Sequence, residues 1–254
     1  MSKFFVNSNQ ILNDKIIIEG SDYNHIKNVL RSKIDDELIV CDSQNSINYN
    51  CKIIGFGTNT VECEILFKFQ DDVESNIKIT VFQGLPKADK MELIIQKGVE
   101  LGVTTFVPVS LKRSIVKLNG KDEEKKIARW NTIAEVASKQ SGRSYIPQVE
   151  NVLSFKLLLD RIKDYDLIFL AYEEEKDLTL KELLKEFKEQ NIDKINNKQD
   201  LNIAFIIGPE GGMAKEEVQE LKEKGVKTIT LGSRILRTET ASLNITSIIM
   251  YELN

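Results

Sequence analysis

From residue 77 onward, short apolar segments alternate with longer segments in which apolar residues recur every three or four positions. The short segments are rich in β-branched residues and predict strands at 77–83, 104–108, 167–172, 201–207 and 228–231. The longer segments predict helices at 87–101, 122–140, 180–190, 215–224 and 241–253, and the Asn- and Lys-rich segment 193–200 predicts a loop. Strands that alternate with helices are typical of a mostly parallel sheet covered by helices, so this part is predicted to be α/β.

The first 70 residues have a different pattern. Four segments alternate in polarity or carry β-branched runs, and they predict strands at 15–19, 37–42, 48–54 and 60–67. A capped helical pattern covers 21–30. A polar linker at 70–76 separates this segment from the α/β part. The chain is therefore predicted to contain a small β-barrel domain with one helix at 1–72 and an α/β domain at 73–254.

Composition excludes several classes of protein. With 41% hydrophobic residues and only four prolines among 254 residues, the chain is expected to fold throughout. No run approaches the ~20 apolar residues of a membrane-spanning helix, and Asn7 to Gln10 interrupt any signal-peptide core. Cys41, Cys51 and Cys63 are odd in number and lack C-x-x-C spacing, which favours a reducing cytoplasm. With one histidine and no thiol pair, no metal site is predicted.

The net charge of -4 conceals a basic block in the middle of the chain. Residues 83–147 carry twelve Lys and Arg against seven Asp and Glu. This block is compatible with an anionic partner and equally with a solvated helix face. Only seven of the 35 basic residues are arginine, the side chain whose planar fork suits phosphate or carboxylate. Four of the seven lie beside the motifs described next: Arg113, Arg143, Arg234 and Arg237.

Two glycine-bearing segments follow predicted strands. Residues 206–212 (IIGPEGG) come directly after the strand at 201–207, and residues 231–241 (LGSRILRTETA) lead from the next strand into the last helix. Ligands of open α/β sheets bind at the carboxyl ends of strands, where glycine lets backbone approach a ligand closely. The segments match neither a P-loop nor a Rossmann fingerprint. They predict a ligand pocket of another kind.

These two motifs together resemble the ribosomal RNA small subunit methyltransferase E family, a branch of the trefoil-knotted SPOUT methyltransferases. The resemblance continues through four further stretches: Gly84-Leu85-Pro86-Lys87, Met91-Glu92 with Gln96-Lys97-x-x-Glu100-Leu101-Gly102-Val103, Arg113-Ser114 with Arg129-Trp130, and Ala134-x-x-Ala137-x-x-Gln140-Ser141-x-Arg143. His25-x-x-x-Val29-Leu30-Arg31 is similar to the family's N-terminal PUA-like domain. The implied fold is a trefoil-knotted SPOUT methyltransferase domain preceded by a small PUA-like β-barrel.

The function implied by the resemblance is S-adenosylmethionine-dependent methylation of uridine N3 in small-subunit (16S) ribosomal RNA. The substrate is ribosomal RNA, free or in an assembled 30S particle, and the resemblance implies a cytoplasmic homodimer. The apolar last helix is compatible with a dimer interface and with the core of a monomer. The residues expected to hold the cofactor are Leu170, Ala171, Ile207, Gly208, Gly211, Gly212, Leu231, Gly232, Ile235, Leu236 and Thr240.

Methylation at uridine N3 requires loss of the N3 proton, and the resulting negative charge spreads onto the flanking carbonyl oxygens. A guanidinium stabilises such charge, so Arg237 is the first catalytic candidate and Arg234 the second. Glu239 is a candidate base or, alternatively, an ion-pair partner that orients Arg237. Contacts to RNA are expected from Arg31, Lys87, Lys90, Arg113 and Arg143.

Two other functions remain open at the level of sequence. One is a related knotted methyltransferase that acts on transfer RNA. The other is a non-catalytic RNA-binding factor in ribosome assembly whose pocket is vestigial. The intact glycines and both arginines of the second motif argue against the vestigial pocket. Cofactor binding discriminates between an enzyme and an assembly factor.

Overall fold

The computed structural model describes residues 3–254, which form two compact units. Unit 1 holds the residues up to Glu74 together with Ser138–Ile146, and unit 2 holds Ser75–Ala137 and Pro147–Asn254. The boundary at residue 74 lies in the polar segment 70–76. The chain returns to unit 1 once, for the nine residues that follow Ala137.

Unit 1 is built on a six-stranded sheet in the order β1-β4-β5-β6-β3-β2. The strands are β1 (Lys3–Val6), β2 (Ile11–Leu12), β3 (Lys15–Glu19), β4 (Glu37–Asp42), β5 (Ile47–Phe56) and β6 (Thr60–Phe69). Helix α1 (Ser21–Asn24) continues into a π-helical turn, His25–Val29. Alternate residues of the strands point inward, and Ile16, Ile18, Ile53 and Val61 are fully buried in the core.

Three buried cysteines contribute to unit 1. Cys41, Cys51 and Cys63 are free thiols. Burial raises the pKa of Cys41 to about 11 and that of Cys51 and of Cys63 to about 12. They behave as small apolar side chains and not as reactive thiolates.

Polar contacts explain why residues 138–146 belong to unit 1. The Ser144 hydroxyl donates to Asp71 Oδ1 at 2.8 Å and accepts from Lys3 Nζ at 2.9 Å. Arg143 donates to both oxygens of Glu74, with Nη2 2.7 Å from Oε2. These buried charges are paired and hydrogen-bonded, which is the condition for keeping them away from water.

Unit 2 contains a seven-stranded, wholly parallel sheet in the order β10-β8-β7-β12-β11-β13, with β9 beside β8. The strands are β7 (Ile77–Gly84), β8 (Val103–Ser110), β9 (Gln148–Val149), β10 (Leu153–Ser154), β11 (Leu167–Ala171), β12 (Leu201–Ile207) and β13 (Lys227–Ile229). The helices are α2 (Lys90–Glu100), α3 (Gly120–Ser141), α4 (Phe155–Arg161), α5 (Leu180–Gln190), α6 (Ile192–Asn196), α7 (Lys215–Glu223) and α8 (Thr238–Leu253). The predicted α/β character of this part is confirmed.

Several local predictions differ from the structure. The segment 193–200, predicted as a loop, is wrong over its first residues because α6 covers Ile192–Asn196. Helix α8 begins at Thr238, three residues earlier than predicted. Helix α4 occupies 155–161, where no element is predicted, and the Ser154 hydroxyl caps it by accepting a hydrogen bond from the Leu157 N–H.

Helix α8 is embedded in unit 2. Its buried residues, among them Ile245, Ile249 and Leu253, pack in the same core as Trp130 and the residues of β7 and β12. Tyr251 is 85% exposed on the opposite side of the helix. Within residues 3–254, no helix is both long and apolar enough to cross a membrane.

The strand order brings three loops together. Strand β11 lies between β12 and β13, and Ala171 is paired with Ile207 on one side and with Ile229 on the other. Because the strands are parallel, the segments that follow these three residues leave the same edge of the sheet. The candidate site is at this edge.

Candidate active site

A cavity of about 620 Å³ opens at the carboxyl ends of β11, β12 and β13. Three segments surround it: the acidic loop (172–177) after β11, the glycine loop (208–214) after β12 and the arginine loop (230–237) after β13. Its wall consists of Lys90, Ala171, Tyr172, Glu173, Ile207, Gly208, Pro209, Glu210, Gly211, Gly212, Thr230, Leu231, Gly232, Ser233, Arg234, Ile235, Leu236, Arg237, Thr238 and Ala241. The volume is within the range of small-molecule sites.

Most of the residues predicted to hold a cofactor lie on this wall. They are Ala171, Ile207, Gly208, Gly211, Gly212, Leu231, Gly232, Ile235 and Leu236. Leu170 does not line the cavity, because its side chain is fully buried between the sheet and the helices. Thr240 is exposed on the first turn of α8, outside the wall.

The glycine loop folds tightly against its neighbours. Gly212 has φ +69°, a left-handed conformation that glycine adopts without strain, and a Cβ there would overlap the carboxylate of Glu173. A Cβ at Gly84, the last residue of β7, would lie 2.7 Å from the backbone nitrogen of Pro209. Gly84 is therefore required by the close approach of the Pro209 backbone, whereas Gly212 is favoured by its positive φ, and a Cβ there would displace the Glu173 carboxylate.

Two buried side chains fix the start of the glycine loop. Thr238, in the first turn of α8, donates its hydroxyl to the Gly208 carbonyl at 2.9 Å. The same hydroxyl accepts from Gln83 Nε2 at 2.8 Å, and Gln83 is fully buried at the end of β7. One hydroxyl therefore connects β7, the glycine loop and α8. The wall of the cavity is set by these bonds.

Lys90 joins two carboxylates that flank the cavity. Its Nζ lies 2.9 Å from Glu210 Oε1 and 3.3 Å from Glu239 Oε2. Glu210 also accepts from the Lys87 N–H at 3.0 Å. Burial favours a higher pKa for Glu210, but the hydrogen bonds from Lys90 and Lys87 outweigh it and lower the pKa. The hydrogen bond to Glu210 raises the pKa of Lys90, so both groups are charged near neutral pH.

Arg234 and Arg237 both line the cavity, as the arginine loop predicts. Across residues 3–254 neither guanidinium has a hydrogen bond or an ion pair. Glu239 does not line the cavity and is paired with Lys90. The interpretation of Glu239 as the partner of Arg237 is therefore wrong. The Glu239 carboxylate is paired with Lys90 instead, and both arginines are left available to a ligand.

The five residues predicted to contact RNA are in different settings. Lys87 and Arg113 are exposed near the glycine loop, where Arg113 Nη1 donates to the Gly211 carbonyl at 3.1 Å. Arg31 is exposed in unit 1. Arg143 is 5% exposed and ion-paired with Glu74, and Lys90 is held by Glu210 and Glu239. The side chains of Arg143 and Lys90 are thus engaged inside the protein.

Four residues that shape the site are absent from the sequence prediction: Gln83, Tyr172, Glu173 and Thr238. Tyr172 ends the predicted strand 167–172 and Glu173 directly follows it, the same signal that identified the other two loops. Gln83 is a polar residue that ends an apolar strand. Thr238 lies within the second motif, two residues before the predicted Thr240.

Comparison with known proteins identifies the family. The family model of the RNA methyltransferase domain matches residues 73–250, and that of the RNA methyltransferase PUA domain matches residues 18–66. A relative from Bacillus subtilis (strain 168), named ribosomal RNA small subunit methyltransferase E, is 40% identical over 92% of this chain and 89% of its own. The chain belongs to the ribosomal RNA small subunit methyltransferase E family.

Further members of this family support the assignment. The protein of that name from Mesomycoplasma hyopneumoniae (strain 232) is 34% identical over 96% of both chains. The solved structure of ribosomal RNA small subunit methyltransferase E from Neisseria gonorrhoeae, bound to S-adenosyl methionine, superposes with a TM-score of 0.81 at 30% identity, covering 99% of this chain and 97% of the other. The resemblance inferred from the two motifs is confirmed, as is a mixed α/β methyltransferase fold with a PUA-like domain.

Proposed function

We propose that this protein transfers a methyl group from S-adenosylmethionine to N3 of a uridine in 16S ribosomal RNA. One observation carries the proposal. The glycine loop and the arginine loop form one wall of the same cavity, and the two arginines on it have no partner among residues 3–254. Family membership supports the class of reaction, and the cofactor bound by the Neisseria gonorrhoeae protein supports the methyl donor.

The residues of the cavity fit the proposed cofactor. A Cβ at Gly208 would lie 3.2 Å from the carbonyl carbon of Gly212, so the loop exposes backbone and not side chains at its start. Gly232 has φ +103°, and a Cβ there would meet nothing within 4 Å, so the space beside that position stays open. Ile207, Leu231 and Leu236 supply apolar surface. When bound, the cofactor supplies an electrophilic methyl group on a sulfonium.

The chain's own residues act on the acceptor base. Arg237 and, secondarily, Arg234 stabilise the negative charge that develops on the uracil carbonyl oxygens when N3 gives its proton to solvent and its electron pair becomes available to the methyl group. Their guanidinium groups are permanently charged and planar, which suits an oxygen flanked by a ring nitrogen. Glu239 faces Lys90 and therefore contributes mainly to the position of the first turn of α8.

We further assign RNA recognition to both parts of the chain, an RNA-binding domain at 1–72 and a methyltransferase domain at 73–254. Arg31 serves the first, and Lys87 with Arg113 serves the second. We place the second domain in the trefoil-knotted SPOUT class. The position of α8 supports this assignment, because α8 follows the arginine loop after β13 and packs against α2 and β7. A homodimer and a cytoplasmic location complete the proposal, the latter because the substrate is ribosomal RNA or the assembled 30S particle.

Calorimetric titration with S-adenosylmethionine and S-adenosylhomocysteine tests the cofactor, and methyl transfer to unmodified 16S RNA and to unmodified 30S particles tests the reaction. The expected results are micromolar binding and the appearance of N3-methyluridine in one of the two substrates. A folded protein that binds neither compound and modifies neither substrate would instead be an assembly factor. Methylation found only in transfer RNA would favour the other knotted methyltransferases.

A further inference from the structure

Glu173 is an acidic residue of the cavity wall that neither motif contains. It is the second residue after β11, on the acidic loop, and its carboxylate lies against Gly212 of the glycine loop. Gly212 has no side chain to separate this carboxylate from the loop. The carboxylate is thereby placed beside the part of the glycine loop that turns at positive φ.

Among the residues that the structure describes, the charges on the wall leave Glu173 without a counter-ion. The wall carries five acidic or basic side chains: Lys90, Glu173, Glu210, Arg234 and Arg237. Lys90 and Glu210 are paired with each other. Throughout the described chain, 3–254, Glu173 has neither a hydrogen bond nor an ion pair within 4.0 Å. It is the unpaired anion of a wall that also carries two unpaired cations.

The neighbouring glutamates do not share this situation. Glu174 lies 3.7 Å from Lys215 and is not part of the wall. Glu175 accepts a hydrogen bond from the Thr228 hydroxyl, which together with a bond from the Asp177 N–H lowers the pKa of Glu175. Of three consecutive glutamates, only Glu173 faces the cavity. The loop therefore does not present all of its carboxylates to the cavity, but places that of Glu173 there.

We propose that Glu173 is the residue of this cavity that pairs with the positive charge of the bound methyl donor. The inference rests on the proposed function and extends it to one interaction. S-adenosylmethionine carries two cationic groups, an α-ammonium and a sulfonium, and Glu173 offers an unpaired anion on the wall. The two arginines suit the opposite charge, and therefore the carbonyl oxygens of the acceptor base. The ammonium and the sulfonium are both small cations, and the experiment below distinguishes which of them Glu173 contacts.

The test replaces Glu173 with its neutral isostere. Glu173→Gln and the matched control Glu174→Gln are titrated with three compounds: S-adenosylmethionine, S-adenosylhomocysteine, which keeps the ammonium but not the sulfonium, and 5′-methylthioadenosine, which has neither cation. For Glu173→Gln we expect S-adenosylmethionine to bind about 5–10-fold more weakly, the loss typical of a partly exposed ion pair of about 1 kcal/mol. Glu174→Gln is expected to match the unaltered protein.

The three compounds separate the possible outcomes. Weaker binding of S-adenosylhomocysteine as well identifies the ammonium, whereas weaker binding of S-adenosylmethionine alone identifies the sulfonium. Either result, with 5′-methylthioadenosine unchanged, supports the pairing. Affinity for S-adenosylmethionine within twofold of the unaltered protein, or equal losses for all three compounds, overturns it. If the unaltered protein binds no S-adenosylmethionine, the proposed function itself fails.

Discussion

The carboxylate of Glu239 lies 3.3 Å from Lys90 Nζ, and Arg237, two residues earlier in the chain, has no carboxylate within 4.0 Å in the described residues. The first turn of α8 therefore directs its acidic side chain toward α2 while the preceding arginine lines the cavity. An arginine paired with Glu239 would already have committed its hydrogen-bond donors to the protein. Unpaired, Arg237 presents its donors to a ligand.

Replacement of Arg237 by alanine is expected to abolish turnover and to leave cofactor affinity within several-fold. Loss of one group that stabilises charge in a transition state costs about 10²–10³ in rate, and Arg237 is expected to act at that stage. The measurement is single-turnover methyl transfer to ribosomal RNA, with calorimetry for the cofactor. Arg129→Ala is the control, since Arg129 pairs with Glu92 away from the cavity. Near-normal turnover in Arg237→Ala would remove this residue from the mechanism.

Thr238→Val should weaken cofactor binding and destabilise the protein, whereas Thr238→Ser should do neither. Valine keeps the shape but leaves the Gly208 carbonyl without its Thr238 donor, at a cost of about 1–3 kcal/mol for a buried group, and removes one of the two acceptors of Gln83 Nε2, which keeps its bond to the Gly84 carbonyl. Urea denaturation and calorimetric titration measure the two effects. A valine variant that binds the cofactor as well as the serine variant would show that the hydroxyl does not control the loop.

Gly212→Ala should reduce cofactor affinity, and Gly225→Ala should not. Both glycines have positive φ, so alanine at either position costs about 1–2 kcal/mol in backbone strain. A Cβ at Gly225 meets nothing within 4 Å, whereas a Cβ at Gly212 would displace the Glu173 carboxylate. Stability and cofactor affinity of the two variants are compared directly. Equal affinities would show that the contact with Glu173 is not part of the binding surface.

The stabilisation from the Lys90–Glu210 pair is expected to be complete between about pH 4.5 and 10.5. The pKa of Glu210 is lowered from its ordinary value of 4.5, so its contribution is lost as the pH falls through the folded-state pKa. The pKa of Lys90 is raised from 10.5, so its contribution is lost as the pH rises through the raised value. Urea midpoints of the unaltered protein and Lys90→Met should therefore differ most at neutral pH, and the difference should shrink as the pH falls through the lowered pKa of Glu210. A difference that does not shrink at any pH below 4.5 at which the protein still folds would contradict this pairing.

Arg143→Met is expected to destabilise unit 1 more than it weakens RNA binding. Arg143 is 5% exposed, and its loss leaves Glu74 without its bidentate partner, at a cost of about 3 kcal/mol. Arg113→Met is the comparison, because Arg113 is exposed beside the glycine loop. Thermal unfolding should respond to the first change and RNA affinity to the second. A stable Arg143→Met protein with reduced RNA affinity would restore Arg143 as an RNA contact.

Sequence alone located β7, β8, β11, β12 and β13 of unit 2 because buried parallel strands are continuous apolar runs, as in Leu201–Ile207. Strands β9 and β10 escaped prediction, since two residues each are too few for any periodic pattern. Helix α6 was not predicted because Asn- and Lys-rich segments favour loops locally and because the helix is only five residues long.

The residues that line the cavity were predictable from glycine positions at strand ends, but their partners were not. Lys90 is 149 residues from Glu239 in the chain, and only the packing of α2 beside α8 brings the two together. Gln83 and Thr238 are likewise joined across 155 residues. Hydrogen bonds of this kind depend on tertiary structure, which local sequence patterns do not encode.

Helix α8 is the last element of the chain to be translated, and the cavity is incomplete without it. A growing chain that has reached residue 230 contains every strand that the structure describes, together with the glycine loop and Glu173. It still lacks Arg234, Arg237 and the Thr238 hydroxyl that holds the Gly208 carbonyl. The cavity is therefore completed only when residues 231–253 have been translated and α8 has packed against α2 and β7. A chain that ends at residue 230 therefore has the acidic loop and the glycine loop but lacks most of the arginine loop and the α8 residues that complete the wall.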